Sequence, residues 1–166
     1  MNNPMLIGSL AVGVLCCVLG LVGMVTTGWL TNSVFDVGLF SLCGPRGCAS
    51  YAAEDSIAAA KAFVVIGWLC ALVAAINTLV YFIKYATSDV PNRTLPLIAF
   101  IFYFISGGAS LLGAIIFAAG GKSEAEEAIG SSTLGYSFAL TIIGALLSLA
   151  AGALMFVHRS RIGGPI

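Results

Sequence analysis

Charge is the property that this sequence lacks most. Only 8% of its 166 residues are charged, the seven basic and seven acidic side chains cancel to a formal net charge of zero, and 60% of the residues are hydrophobic. A soluble domain usually carries about 25% charged residues. The composition therefore places the chain in membrane lipid. It also offers no positive field that would attract a nucleic acid.

Four long runs contain no Asp, Glu, Lys, Arg or His at all. About 20 helical residues cross a hydrocarbon core of about 30 Å, and backbone groups in lipid have to be satisfied internally, so each run is predicted to be a spanning helix. The predicted spans are residues 5–28, 62–83, 95–119 and 133–157, with a first outer loop over 29–61 and a second over 120–132. We expect a single four-helix transmembrane domain. Because residues 52–61 are strong helix formers, we expect its second helix to begin outside the membrane and to continue into it.

The spans also lack the ionisable side chains on which ion pathways and proton relays depend. Asn77 is the most polar candidate within them, and we expect it to bond to a neighbouring helix rather than to line a substrate cavity. The one histidine, His158, has no Cys or His near it in sequence, which argues against a metal site. No phosphate-binding loop and no paired nucleophile is visible. We therefore predict a protein that is not an enzyme, with no catalytic residue, metal or cofactor.

Only two of the five cysteines lie outside the apolar runs. Cys43 and Cys48 flank a Gly-Pro-Arg-Gly turn, and the preceding residues are rich in β-branched and aromatic types, which favours one or two short strands. We predict a hairpin stapled by a Cys43–Cys48 disulfide. A catalytic redox pair is the weaker alternative, because no second outer pair is present to exchange with it. Cys16, Cys17 and Cys70 are predicted to be packing residues within the spans.

Two features indicate an orientation. A disulfide persists in oxidising space, and the predicted inner segments contain slightly more Lys and Arg than the outer loops. The inner set is Lys84, Arg93, Arg159 and Arg161, and the outer set is Arg46, Lys61 and Lys122. We therefore predict a multi-pass plasma-membrane protein with both termini in the cytoplasm. The glycosylation sequon that begins at Asn92 would then stay unmodified.

Small residues recur at four-residue spacing on three of the predicted helices, which lets helices approach closely in lipid. The stripes are Ser9, Gly13 and Cys17 on the first, Ser106, Ser110, Ala114 and Ala118 on the third, and Gly144, Ser148 and Gly152 on the fourth. We expect them to form the seams of a compact, left-handed bundle.

The first outer loop resembles the signature of the claudin superfamily, which is a Trp followed by Gly-Leu-Trp-x-x-Cys and a second Cys. Here the matching residues are Trp29, Gly38-Leu39-Phe40, Cys43 and Cys48. Residues 58–66, 107–108, 135–137 and 151–154 are also similar to family segments. Phe40 replaces the usual Trp, and the loop and the spacing of its cysteines are shorter than in typical claudins. The superfamily also includes the peripheral myelin and epithelial membrane proteins and the gamma-type regulatory subunits of calcium channels and glutamate receptors.

The resemblance implies a left-handed bundle of four transmembrane helices, with a small extracellular antiparallel sheet to which the second outer loop adds a strand. It implies a claudin-like protein of cell–cell junctions, adhesion or the paracellular barrier, possessing partners of the same family in cis or in trans. The alternative is an auxiliary subunit of an ion channel or neurotransmitter receptor, resembling the gamma-type (TARP) subunits, whose partner is a pore-forming subunit.

Two interpretations of the aromatic residues stay open. Trp29 and Phe40 could form a partner-binding surface, or they could pack inward and hold the sheet on the bundle, which we favour. The expected contact residues are then those at the turn and in the acidic second loop, namely Pro45, Arg46, Glu124, Glu126 and Glu127. Acidic residues outnumber basic ones in the outer loops by six to three, so a paracellular path would favour cations.

Overall fold

The computed structural model describes residues 4–50, 55–87 and 94–162. Four of its helical segments are long and apolar enough to cross a membrane. The helices are α1 (Pro4–Val25), α2 (Asp55–Thr87), α3 (Thr94–Ile116), α4 (Lys122–Ile129) and α5 (Tyr136–Ile162), and a π-helical turn (Phe117–Gly121) joins α3 to α4. The fold is a four-helix membrane bundle with a small antiparallel sheet at one end, as the sequence predicted.

Several helix ends differ from the predicted spans. Helix α2 begins at Asp55, ahead of its apolar run, as its helix-forming residues predicted, whereas the third helix continues through α4 where a loop was predicted. The continuation has a physical cause, because Lys, Glu and Ala in residues 122–129 are good helix formers even where no lipid surrounds them. Residues Thr133–Leu134 form a strand instead of opening the fourth span, and α5 begins only at Tyr136.

The sheet has five strands of two or three residues each. They are β1 (Leu30–Thr31), β2 (Asp36–Val37), β3 (Leu42–Gly44), β4 (Gly47–Ala49) and β5 (Thr133–Leu134), in the antiparallel order β4-β3-β2-β1-β5. Strand β5 directly follows the second predicted loop, in residues that were assigned to the fourth span, and it adds to the sheet the strand that the resemblance implied. Strands this short are not stable alone in water. The sheet therefore depends on the bundle beneath it.

The helices form a ring in which α1 and α3 each contact both α2 and α5. Small residues lie at the crossings. A Cβ on Gly67 of α2 would lie 3.0 Å from the carbonyl oxygen of Ser106 on α3, and Ser9 on α1 donates a hydrogen bond of 3.1 Å to the carbonyl oxygen of Ala151 on α5. Close helix approach replaces the hydrophobic effect as the source of association in lipid. Cys17, the third residue of the predicted stripe on α1, is only half-buried. Its neighbour Cys16 is the buried cysteine.

Two apolar clusters fill the bundle. The cluster at the sheet end comprises Met24, Trp29, Leu30, Val37, Leu39, Ile57, Ala60, Val64, Phe117 and Ala125. The cluster at the opposite end, where α2 and α5 terminate, comprises Leu6, Ala74, Tyr81, Ala99, Tyr103, Ala151 and Met155. Large aliphatic side chains such as Ile76 and Ile115 are about 60% exposed on the outer faces of the helices, where the bilayer covers them.

The expectation for Asn77 is wrong. Its side-chain amide donates a hydrogen bond of 2.9 Å to the carbonyl oxygen of Val73, one turn earlier on the same helix. A short polar side chain within a helix can reach that carbonyl without any neighbour. Asn77 therefore contributes neither to an interhelical contact nor to a cavity.

Candidate interaction surface at the sheet end of the bundle

Trp29 fixes the sheet to the bundle. It is fully buried, and its ring meets those of Phe117 and Phe138 edge to face, with centroids 4.8 and 5.7 Å away. Its backbone N–H donates to the carbonyl oxygen of Val37, and its own carbonyl accepts from Gly135 N–H, each at 2.9 Å. Trp29 thus joins β2 and the residue after β5 to the π-helical turn and to α5.

Gly38 and Leu39 form the contact between the β2–β3 turn and the end of α1. The turn closes with a 2.8 Å bond from Gly38 N–H to the carbonyl oxygen of Ser41. A Cβ on Gly38 would lie 2.9 Å from both the Thr26 carbonyl oxygen and the Thr27 Cα, which are backbone atoms that cannot rotate away. Leu39 is fully buried in the cluster around Trp29. These motif residues hold the sheet in place and do not face a partner.

Phe40 is placed differently from Trp29. Its side chain is 41% exposed, and the Lys61 ammonium lies 5.0 Å from the centre of its ring. That distance allows a cation–π interaction, worth about 0.5–1 kcal/mol at an exposed site. The inward packing expected for both aromatic residues therefore holds for Trp29 alone, and Phe40 is available at the surface.

The hairpin β3–β4 forms one edge of the sheet. Its loop consists of Pro45 and Arg46, both exposed, and Cys43 lies directly opposite Cys48. A two-residue loop makes Gly44 and Gly47 a hydrogen-bonded pair, so the cysteines form the next, non-hydrogen-bonded pair, where side chains are closest. Their Cα atoms are 4.0 Å apart and their sulfurs form the predicted disulfide.

The same register sets the direction of the β4 backbone. The N–H and C=O of Cys48 are directed away from β3, and within the described residues no strand lies beyond β4. All three residues of β4 are exposed. This strand therefore presents, at the edge of the sheet, backbone groups that pair with no other described strand.

Two of the three predicted acidic contact residues are hydrogen-bonded to other residues of this chain. The carboxylate of Glu124 accepts hydrogen bonds from the backbone N–H groups of Ser56 (3.2 Å) and Ile57 (3.3 Å), in the first turn of α2. Glu126 accepts from Ser132 N–H at 3.0 Å and lies 3.7 Å from the Lys122 ammonium. Glu127 is exposed, whereas Glu124 and Glu126 are half-buried.

The connection between β1 and β2 is an exposed part of this surface that was not predicted from the sequence. Asn32 Oδ1 accepts from the N–H groups of Val34 (2.8 Å) and Phe35 (2.7 Å), which forms a tight Asx-type turn. The turn leaves Val34 50% exposed and Asp36 exposed, while Phe35 covers Gly44 of the neighbouring hairpin. An Asn two to three residues before an aromatic residue was the available signal. Together with residues 130–133, the turn lines an open groove.

The opposite end of the bundle contains His158. It is buried, and its Nε2 lies 3.1 Å from the Tyr81 hydroxyl, within hydrogen-bond distance. Across the described ranges, no group of three or more His, Cys, Asp or Glu residues is arranged to hold a metal ion. His158 is thus an interhelical contact between α2 and α5.

A four-helix membrane bundle that carries a disulfide-pinned sheet on a buried Trp defines a class of multi-pass membrane protein. The family model described as "Tight junction protein, Claudin-like" matches residues 1–161 of the chain. The chain belongs to this family of junction and barrier proteins, which are in general not enzymes and which act with other membrane proteins. A search of curated proteins found no match.

Proposed function

We propose that this protein is an adhesion or barrier protein of cell–cell contacts, with its sheet outside the cell and both termini in the cytoplasm. The observation that carries the proposal is the open edge of β4, held rigid by the Cys43–Cys48 disulfide and by the sheet's attachment through Trp29. A strand whose outer backbone groups are unpaired is a ready site for strand addition. A preorganised edge also loses little conformational entropy on binding.

The partner contact in this proposal is made by the hairpin and by Phe40. Pro45 and Arg46 project at the turn, and exposed Phe40 supplies apolar area next to the Lys61 charge. Aromatic residues and Arg dominate the binding energy of many protein interfaces. The partner is a second claudin-like chain in the same or the opposing membrane, because a protein of this family presents the same strand edge, whose free backbone groups complement those of β4.

A barrier role would extend to ion selectivity. Of the acidic residues that the structure describes at the sheet end, Asp36, Asp55 and Glu127 are exposed, while Glu124 and Glu126 are bonded within the chain. Glu54 lies outside the described residues. Free carboxylates attract cations at close range. We infer that the three exposed residues, rather than the whole acidic set of the second loop, would give a paracellular path its cation preference.

The test is expression in adherent cells that lack junctional strands. The protein should concentrate at contacts between two expressing cells and form strands there. The double variant Pro45→Gly, Arg46→Ala should reach the surface normally and lose the enrichment at contacts. The matched control is Ser33→Gly, Val34→Ala in the β1–β2 turn, which alters an equally exposed turn away from β4 and should leave enrichment intact.

Three outcomes count against the proposal. One is contact enrichment that survives the hairpin variant, and another is equal loss in the control. The third is a protein that forms no strands alone and co-purifies with a large pore-forming subunit, which would favour the role of an auxiliary subunit. Where strands do form, neutralising Asp36, Asp55 and Glu127 together should reduce the cation-over-anion permeability of a confluent layer.

A further inference from the structure

At the end of the bundle opposite the sheet, the charged residues that the structure describes are all basic. They are Lys84, near the end of α2, and Arg159 and Arg161, near the end of α5, with no acidic residue among the described residues there. Arg93 and Asp89 belong to the connection outside the described residues. This end therefore has a clear positive excess, whereas the sheet end is acidic.

An aromatic cluster brings the basic residues of the two helices together. The His158 ring lies 5.6 Å from that of Tyr81 and 5.8 Å from that of Tyr85, centre to centre. Lys84 directly precedes Tyr85, and Arg159 directly follows His158. The contact thus holds the Lys84 segment of α2 beside the Arg159–Arg161 segment of α5.

The three cations have no acidic partner among the described residues. None of them forms an ion pair with another described residue, and Lys84 and Arg161 are exposed while Arg159 is half-exposed. Each also lies where a long uncharged run ends, since no charged residue separates Lys61 from Lys84 or Glu127 from Arg159. Side chains at the end of an apolar span extend into the headgroup layer.

We propose that this end binds the headgroup of an anionic phospholipid, with Lys84, Arg159 and Arg161 contacting its phosphate. Arg pairs with phosphate oxygens through two parallel N–H bonds, and Lys adds a point charge. Basic pockets between transmembrane helices are suited to such headgroups. The inference is independent of the function proposed for the sheet, because it uses other residues at the other end of the molecule.

The experiment is native mass spectrometry of the detergent-purified protein, titrated with phosphatidylserine or with phosphatidylcholine of the same acyl chains. The wild-type protein should retain phosphatidylserine in preference. The triple variant Lys84→Gln, Arg159→Gln, Arg161→Gln should lose that preference, with binding about fivefold weaker for each charge removed. The charge-conserving variant Lys84→Arg, Arg159→Lys, Arg161→Lys should retain it, and its retention shows that loss in the first variant is not misfolding.

The matched control removes the same number of charges at the sheet end, through Arg46→Gln, Lys61→Gln and Lys122→Gln. Phosphatidylserine retention should be unchanged in that variant. The proposal is overturned if the wild-type protein does not distinguish the two lipids, or if the Lys84→Gln, Arg159→Gln, Arg161→Gln variant binds like the wild type. An equal loss in the control also overturns it.

Discussion

The indole N–H of Trp29 donates a 2.7 Å hydrogen bond to the carbonyl oxygen of Gly23. Gly23 lies in the last turn of α1, which ends at Val25, and the final carbonyls of a helix have no partner within it. Trp29 therefore closes the end of α1 with its polar edge and packs the sheet on the bundle with its apolar faces. This double role gives the family's Trp a purely physical explanation.

Replacing Trp29 or Phe40 by Ala should show which of the two aromatic residues supports the sheet and which lies at the surface. Trp29→Ala removes a fully buried ring and should destabilise the protein by about 3–5 kcal/mol. Phe40→Ala, at a position 41% exposed, should cost no more than about 1 kcal/mol. Thermal unfolding of both variants in detergent measures the contrast. Equal melting temperatures would contradict the assignment of Trp29 as the support of the sheet.

The disulfide predicts a specific alkylation pattern. Cys16, Cys17 and Cys70 are free, while Cys43 and Cys48 are bonded. Intact-mass analysis after denaturation and alkylation without reductant should therefore show three adducts, and five after reduction. Four or five adducts without reductant would be incompatible with the bond. Cys48→Ser should weaken the hairpin, since loss of a disulfide in a small element typically costs about 2–5 kcal/mol, and it should reduce delivery to the cell surface.

Glu124 is expected to act as an external cap of α2. Glu124→Gln removes the negative charge next to the N–H groups of Ser56 and Ile57, where a helix terminus favours an anion. We expect a loss of about 1 kcal/mol, seen as a lower melting temperature. Glu127→Gln is the matched control, because it makes the same change three residues away at an exposed position. A control that is destabilised as much as the variant would rule out a capping role.

The proposed orientation predicts opposite labelling of two exposed serines. Ser33 is at the sheet end and Ser160 near the end of α5, and both are exposed. With a membrane-impermeant maleimide, Ser33→Cys should react on intact cells, and Ser160→Cys should react only after permeabilisation. The sequon at Asn92 should carry no glycan. The reverse labelling, or a glycan on Asn92, would falsify the orientation.

The four helices were predictable because their signal is local. Runs without any charged residue, interrupted by short polar segments, determine the number of spans through the cost of placing charge and open backbone in lipid. The hairpin was predictable for a similar reason, since Cys43, Pro45 and Cys48 lie within a few residues of one another. The continuation of the third helix as α4 was not predicted, because hydropathy gives no signal where an amphipathic or polar helix continues into water.

Only the tertiary structure decided which residues of the outer loops are exposed and which are buried or hydrogen-bonded within the protein. The sequence alone determined a claudin-like membrane bundle with a disulfide-pinned loop, but Trp29 and Phe40 were indistinguishable in it, as were Glu124 and Glu127. Their difference depends on Phe117, Phe138, Ser56 and Lys61, which lie far away along the chain or on other helices. The burial and hydrogen bonding of a side chain are set by neighbours that packing brings together. Composition and local spacing do not show which distant residues become those neighbours.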